Sequence, residues 1–286
     1  MCTVIVITFL DKARTMFIRS KGKRLSRVFL LTISLTTLLS QKAIAHFIEL
    51  IPSSPLITKS AENDFSFDIR FTHPMEGAPL MEMERPDLFG VQIAGKKYDL
   101  TKSLQATKLE GKLNPANATS YKADHKIKRA GDYSFYLVPK PYWEPEEQAM
   151  IIHYTKIVVN AHGLENGWED PVGLPVEIIP LSRPYGLWTN NLFSGQVLNN
   201  GQPEPHALIE IEYRGEGKVD VPATPFITQV VRADKNGVFN YAMPKAGWWG
   251  FAALVDNGKT LPAPDGSEAQ VEEGGLIWVH TQDMPQ

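Results

Sequence analysis

Cysteine is almost absent from this chain. The single one, Cys2, precedes the apolar run Val28 to Leu39, so residues 46–286 hold no disulfide, no thiolate ligand and no cysteine nucleophile. A lipoprotein cysteine is excluded as well, because it would follow that run. The run itself is about a dozen residues, whereas a helix crossing a bilayer needs roughly 20. Catalytic signatures are missing too: there is no H-E-x-x-H, no Gly-rich phosphate loop and no G-x-S-x-G elbow. Carboxylates are plentiful, but spacing singles out no acid and base pair, and no enzyme is expected. No window carries an amphipathic helical period.

A basic surface is lacking in the same way. Lys21, Lys23, Arg24 and Arg27, then the apolar run, then Ala43 and Ala45 form a secretory leader with an A-x-A cleavage site, which assigns residues 1–45 to a signal peptide. A start at Met16 gives that leader a conventional length. It holds eight of the 29 Lys and Arg and one of the 32 Asp and Glu. Residues 46–286 are left with 21 basic and 31 acidic groups, a formal charge of −10. Nucleic acid is excluded as a partner on this ground. The expected product is soluble and exported.

What the remainder offers is strand after strand. Phe65-Ser66-Phe67-Asp68-Ile69-Arg70-Phe71 alternates strictly and predicts a strand with one buried face. Val91–Ile93 and Lys97–Leu100 flank Ala94-Gly95 as a hairpin. Tyr133–Val138, Met150–Val159 and Val176–Pro180 complete the first half, with Pro139, Pro141 and Pro145 expected to forbid regular pairing between two of them. Leu181-Ser182-Arg183-Pro184-Tyr185-Gly186 reads as a hinge. Beyond it, strands are expected at Phe193–Leu198, Ala207–Tyr213, Ile227–Arg232, Val238–Ala242, Trp248–Val255 and Leu276–Thr281. Asn199-Asn200-Gly201 and Lys235-Asn236-Gly237 supply tight turns. The fold class is therefore all-β, as two β-sandwich domains over residues 46–183 and 184–286.

Nitrogen and carboxylate donors concentrate in the first half. Cleavage after Ala45 would give His46 a free amine and an imidazole on one residue, which close a six-membered chelate ring on a metal ion through Nδ1. Phe71 to Glu84 adds His73, Glu76 and Glu82, together with Met75, Met81 and Met83, whose thioethers are either Cu(I) ligands or packing groups. His153 lies mid-strand and joins as a third nitrogen. The expected metal set is His46, His73, His153, Glu76 and Glu82. His125, His162, His206 and His280 read as surface or solvated residues.

Several segments together resemble one known family. They are Ala45-His46-Phe47, Phe71-Thr72-His73-Pro74 with Glu76-Gly77, Pro79 to Met83, Pro141-Tyr142-Trp143-Glu144-Pro145, Ile152 to Lys156, Gly186-Leu187-Trp188 and Gly247 to Phe251. The chain is similar in these to the periplasmic component associated with ABC-type nickel and cobalt uptake systems, a family otherwise labelled a domain of unknown function. The resemblance implies a soluble periplasmic protein that binds divalent nickel or cobalt and hands it to an inner-membrane ABC permease. It also implies a second domain similar to transthyretin-like or carboxypeptidase-regulatory modules. Two alternatives stand beside it. One is a periplasmic copper protein built on the N-terminal histidine. The other is an adhesion or carbohydrate-binding module using Trp143, Trp168, Trp188, Trp248, Trp249 and Trp278.

Overall fold

The computed structural model describes residues 46–59, 62–109, 114 and 116–286. The signal peptide assigned to residues 1–45 lies outside them. Among the described residues there is no α-helix; short 3₁₀ turns include Thr101–Ser103 and Thr224–Phe226, and there are twenty strands numbered in chain order. One small antiparallel sheet runs β1 (Phe47–Pro52), β3 (Asp64–Thr72), β7 (Ser120–Lys126), β6 (Gln105–Thr107). A second holds β11 (Val176–Pro180), β13 (Leu192–Asn199) and β14 (Gln202–Pro203), with β17 (Val238–Ala242) on β13.

Between them is a large sheet of twelve strands. Its main path is β16 (Gln229–Arg232), β15 (Leu208–Tyr213), β18 (Gly247–Val255), β20 (Glu268–Gln282), β10 (Ala149–Ala161), β8 (Gly131–Val138), β4 (Leu88–Ile93) and β5 (Lys96–Asp99). Short strands β2 (Leu56–Ile57) and β9 (Tyr142–Glu144) add to β10, and β12 (Leu187–Trp188) and β19 (Thr260–Pro262) add to β20.

The two-residue period explains how one sheet serves two cores. On β20, Leu276 and Trp278 pack in one hydrophobic cluster while Ile277 and Val279 pack in the other. Successive side chains point to opposite faces, so the small sheets cover opposite faces of the large one. A strand buried on both sides has no polar face to alternate, which is why Leu276-Ile277-Trp278-Val279 is apolar without a break. β3 covers one core from a small sheet and keeps the alternation: Phe65, Phe67, Ile69 and Phe71 are all buried.

The all-β expectation holds, with differences in where strands pair. β10 and β20 lie parallel over nine residue pairs, from Ala149↔Gln270 to Ile157↔Trp278, so the two halves share a sheet. The hinge at residues 181–186 falls between β11 and β12, yet β11 pairs across it with β13. The proline-rich loop also needs correcting. Tyr142, Trp143 and Glu144 keep their N–H groups, and β9 pairs with β10 between Pro141 and Pro145. β7 escapes a sequence reading because its outward positions are Lys122, Asp124 and Lys126 and its inner face offers only Tyr121, Ala123 and His125.

Polar links reinforce the shared sheet. The Glu212 carboxylate accepts the Met75 N–H at 3.0 Å, and the Glu216 N–H donates to the Pro74 carbonyl at 3.0 Å. Arg214 Nε donates to Glu49 at 3.0 Å. Lys156 on β10 and Glu177 on β11 form a fully buried pair at 2.5 Å. Burial lowers the Lys156 pKa, and the Glu177 charge and hydrogen bond oppose that shift.

Candidate functional site

The β1 and β3 ladder sets the first two histidines side by side. Its register ends at Phe47↔Thr72, and one further step places His46 opposite His73. Their ring centroids are 4.9 Å apart, and both residues are buried. β10 lies beneath, and His153, also buried, donates its Nδ1–H to the His46 carbonyl at 2.7 Å. A carbonyl only accepts, so this contact fixes the proton on Nδ1 of His153. The three histidines expected from the sequence are thus brought together from three distant segments.

Two carboxylates hold their rings. Glu144, at the end of β9, lies 2.9 Å from His46 Nε2, and Glu272 on β20 lies 3.0 Å from His153 Nε2. Burial, then the neighbouring His73, push the His46 pKa down to about 4 against the pull of Glu144. His46 is therefore neutral at neutral pH. With Nε2–H donated to Glu144, its lone pair is on Nδ1, the nitrogen that the terminal chelate requires. Burial pushes Glu272 up, but the hydrogen bond and then the charge of His153 outweigh it and leave the carboxyl below its ordinary value. Around them Glu147 and Glu210 are each raised to about 7, by burial first and then by Glu272.

A glycine makes the room for His153. Gly274 stands opposite it in the β10 and β20 register, and a Cβ there would lie 2.5 Å from the imidazole Cδ2. The next residue, Gly275, would bring a Cβ to 2.7 Å from the Val176 backbone on the other face. A cavity of about 220 Å³ opens beside His153, walled by Phe71, Tyr142, Trp143 and Ile151.

The remaining expected residues are placed differently. Glu76 is exposed on the loop after His73, and Glu82 is exposed at the cavity wall, where it accepts the Thr119 N–H at 2.9 Å. Met75, Met81 and Met83 are buried, the last two within the first core. His162 bonds Asn63 and His206 is exposed, whereas His280 packs edge-on against Trp248. His125 is corrected from a surface residue to a half-buried one, because its ring packs edge-on against Phe65 and Phe135. Glu144 and Glu272 were missed as site residues. Only Glu144 carried a signal, as part of Pro-Tyr-Trp-Glu-Pro.

The donor set is imidazole nitrogen with carboxylate oxygen, which suits late first-row ions better than magnesium or calcium. Among the described residues no three His, Cys, Asp or Glu side chains already converge as a metal-holding group. The imidazole Nε2 atoms of His46 and His153 are each turned to a carboxylate instead.

No curated protein matches the sequence. Solved structures similar to it include latent PorU of Porphyromonas gingivalis, at 10% identity and TM-score 0.25 over 87% of this chain and 21% of that one. Another is BcpA, the major pilin subunit of Bacillus cereus, at 12% identity and TM-score 0.21 over 79% of this chain and 63% of that one. A two-domain fibronectin type III segment of chicken tenascin gives 15% identity and TM-score 0.21, over 83% of this chain and all of that one. The chain thus spans about a fifth of PorU and under two thirds of BcpA. A family model matches residues 43–257, and the chain belongs to that family, the domain of unknown function DUF4198.

Proposed function

We propose that this protein is exported to the periplasm and there binds a divalent transition metal, nickel or cobalt, as cargo for an ABC-type permease of the inner membrane. The observation that carries the reading is the meeting of His46, His73 and His153, with His46 at the residue that signal cleavage would make terminal. Nδ1 of His46 and the new amine supply the chelate, His73 is a further nitrogen donor, and His153 joins through Nε2 once that nitrogen exchanges Glu272 for the metal. Glu144 serves by accepting the Nε2 proton and fixing the ring, as carboxylates beside metal-binding histidines do. Glu76 and Glu82 are assigned as oxygen donors from the sequence, and Glu272 is a nearer one.

Copper is the second reading, favoured by the same Nδ1 and by the closeness of His46 and His73. Sites of this type bind copper more tightly than nickel or cobalt whatever their physiological cargo. Metal content of protein recovered from its native compartment distinguishes the two. Titration calorimetry on His46→Ala, His73→Ala and His153→Ala tests the site itself. Each is expected to weaken nickel binding by on the order of tenfold or more, and unchanged affinity in all three contradicts a histidine site.

A further inference from the structure

A second cavity, of about 390 Å³, lies in the first half on strands away from the histidine cluster. Val91 and Ile93 of β4, Leu100 and Tyr133 of β8 give it an apolar floor, continuous with the core between the large sheet and β7. Its volume is that of a small-molecule pocket.

The rim has the opposite character. Lys126, Lys128 and Arg129, at the end of β7 and in the turn before β8, line it, and no Asp or Glu does. Lys126 pairs with Asp64 in an exposed contact at 3.3 Å, while Lys128 and Arg129 have no carboxylate partner among the described residues. Three cations on one cavity stand out within residues 46–286, whose formal charge is −10. His125 lines the cavity between rim and floor. Burial, then the charge of Lys128, hold its pKa below the ordinary value, so it contributes a neutral hydrogen-bonding ring. Tyr98 of β5 adds a half-exposed aromatic face at the mouth.

An apolar floor under a rim on which Lys128 and Arg129 have no carboxylate partner among the described residues is complementary to one kind of ligand. We propose that this cavity binds a small amphipathic organic anion, with its apolar body between the sheets and its carboxylate or sulfonate against Lys128 and Arg129. Arginine pairs such a group through two parallel hydrogen bonds, and lysine supplies a point charge. The site is independent of the metal reading, since none of its lining residues belongs to the histidine cluster.

The probe is anilinonaphthalene sulfonate, which carries both features, titrated by fluorescence into the full chain and then displaced with decanoate. Saturable binding displaced by decanoate is expected. Lys128→Glu with Arg129→Glu should weaken the dye by about tenfold or more, since hydrogen bonds between charged groups are lost. Both residues are exposed, and an unchanged circular dichroism spectrum confirms folding. Lys96→Glu with Lys97→Glu, outside the lining, should leave affinity unchanged. Equal dye affinity in the Lys128 and Arg129 variant, or equal loss in the Lys96 and Lys97 variant, overturns the proposal. So does failure of decanoate to displace the dye while vesicles of phosphatidylglycerol bind, which would make the patch a membrane contact.

Discussion

With Glu144 accepting its Nε2 proton and burial holding its pKa near about 4, His46 presents a lone pair at Nδ1 throughout the neutral range. Replacing Glu144 by Ala frees the ring to rotate and removes the preference for that tautomer. On the proposed function, nickel affinity should fall by about 10 to 100-fold, the usual cost of losing a carboxylate behind a histidine ligand. Calorimetry checks this, and an unchanged affinity would assign Glu144 to packing alone. Glu212 makes a second prediction independent of metal. Burial raises its carboxyl from 4.5 to about 8 despite hydrogen bonds from Thr228 and the Met75 N–H. The folded state therefore binds more protons than the unfolded one between those values. The stability linked to this proton is fully present below 4.5 and is lost as the pH rises through about 8. Glu212→Gln cannot titrate, so its denaturant stability should decline less over that window than that of the parent. Parallel pH profiles would show that Glu212 is not the group responsible.

At the scale of elements, much turns on β20. Its two glycines, Gly274 and Gly275, admit the His153 ring on one face and the β11 backbone on the other. The His153 side chain can shift at the cost of its bonds to His46 and Glu272, whereas the Val176 main chain cannot move without breaking the pairing of β11 with β13. Both alanine substitutions should destabilise, by about 1 to 3 kcal/mol for overpacking of this kind, with Gly275→Ala the worse. Urea denaturation of the two variants decides the order, and the reverse ranking would contradict the packing described. These elements also show what was legible beforehand. The alternation of Phe65 to Phe71 sufficed to give β3 and its buried face. The strand of His153 was legible too, but not its neighbour: parallel pairing of β10 with β20 joins residues 121 positions apart, as Ala149 with Gln270, and no local pattern encodes that register. Glu272 was invisible for this reason. His125 was misread because β7 alternates too weakly to show that its ring lies against the core aromatics.

For the whole molecule, the large sheet is the deciding feature. Both cores rest on its two faces, and Trp278 Nε1 donates to the Ile48 carbonyl across the first of them. Separating the halves would expose the long edges of β10 and β20 together, so they should unfold as one. Tryptophan fluorescence and far-ultraviolet circular dichroism should follow a single coincident urea transition. Two resolved transitions would mean that the shared sheet contributes little. All-β class and strand content were readable from composition and turns, while the sharing of one sheet was not, since it depends on pairing across the hinge.

The central claim is that His46 acts through its own amine. Nickel calorimetry on protein produced with His46 as its first residue, beside the same protein with one glycine added before it, tests this most directly. The extension leaves every side chain in place and converts the amine to an amide. The account predicts affinity weaker by about tenfold, ~1.4 kcal/mol, in the extended protein. Equal affinity would contradict it.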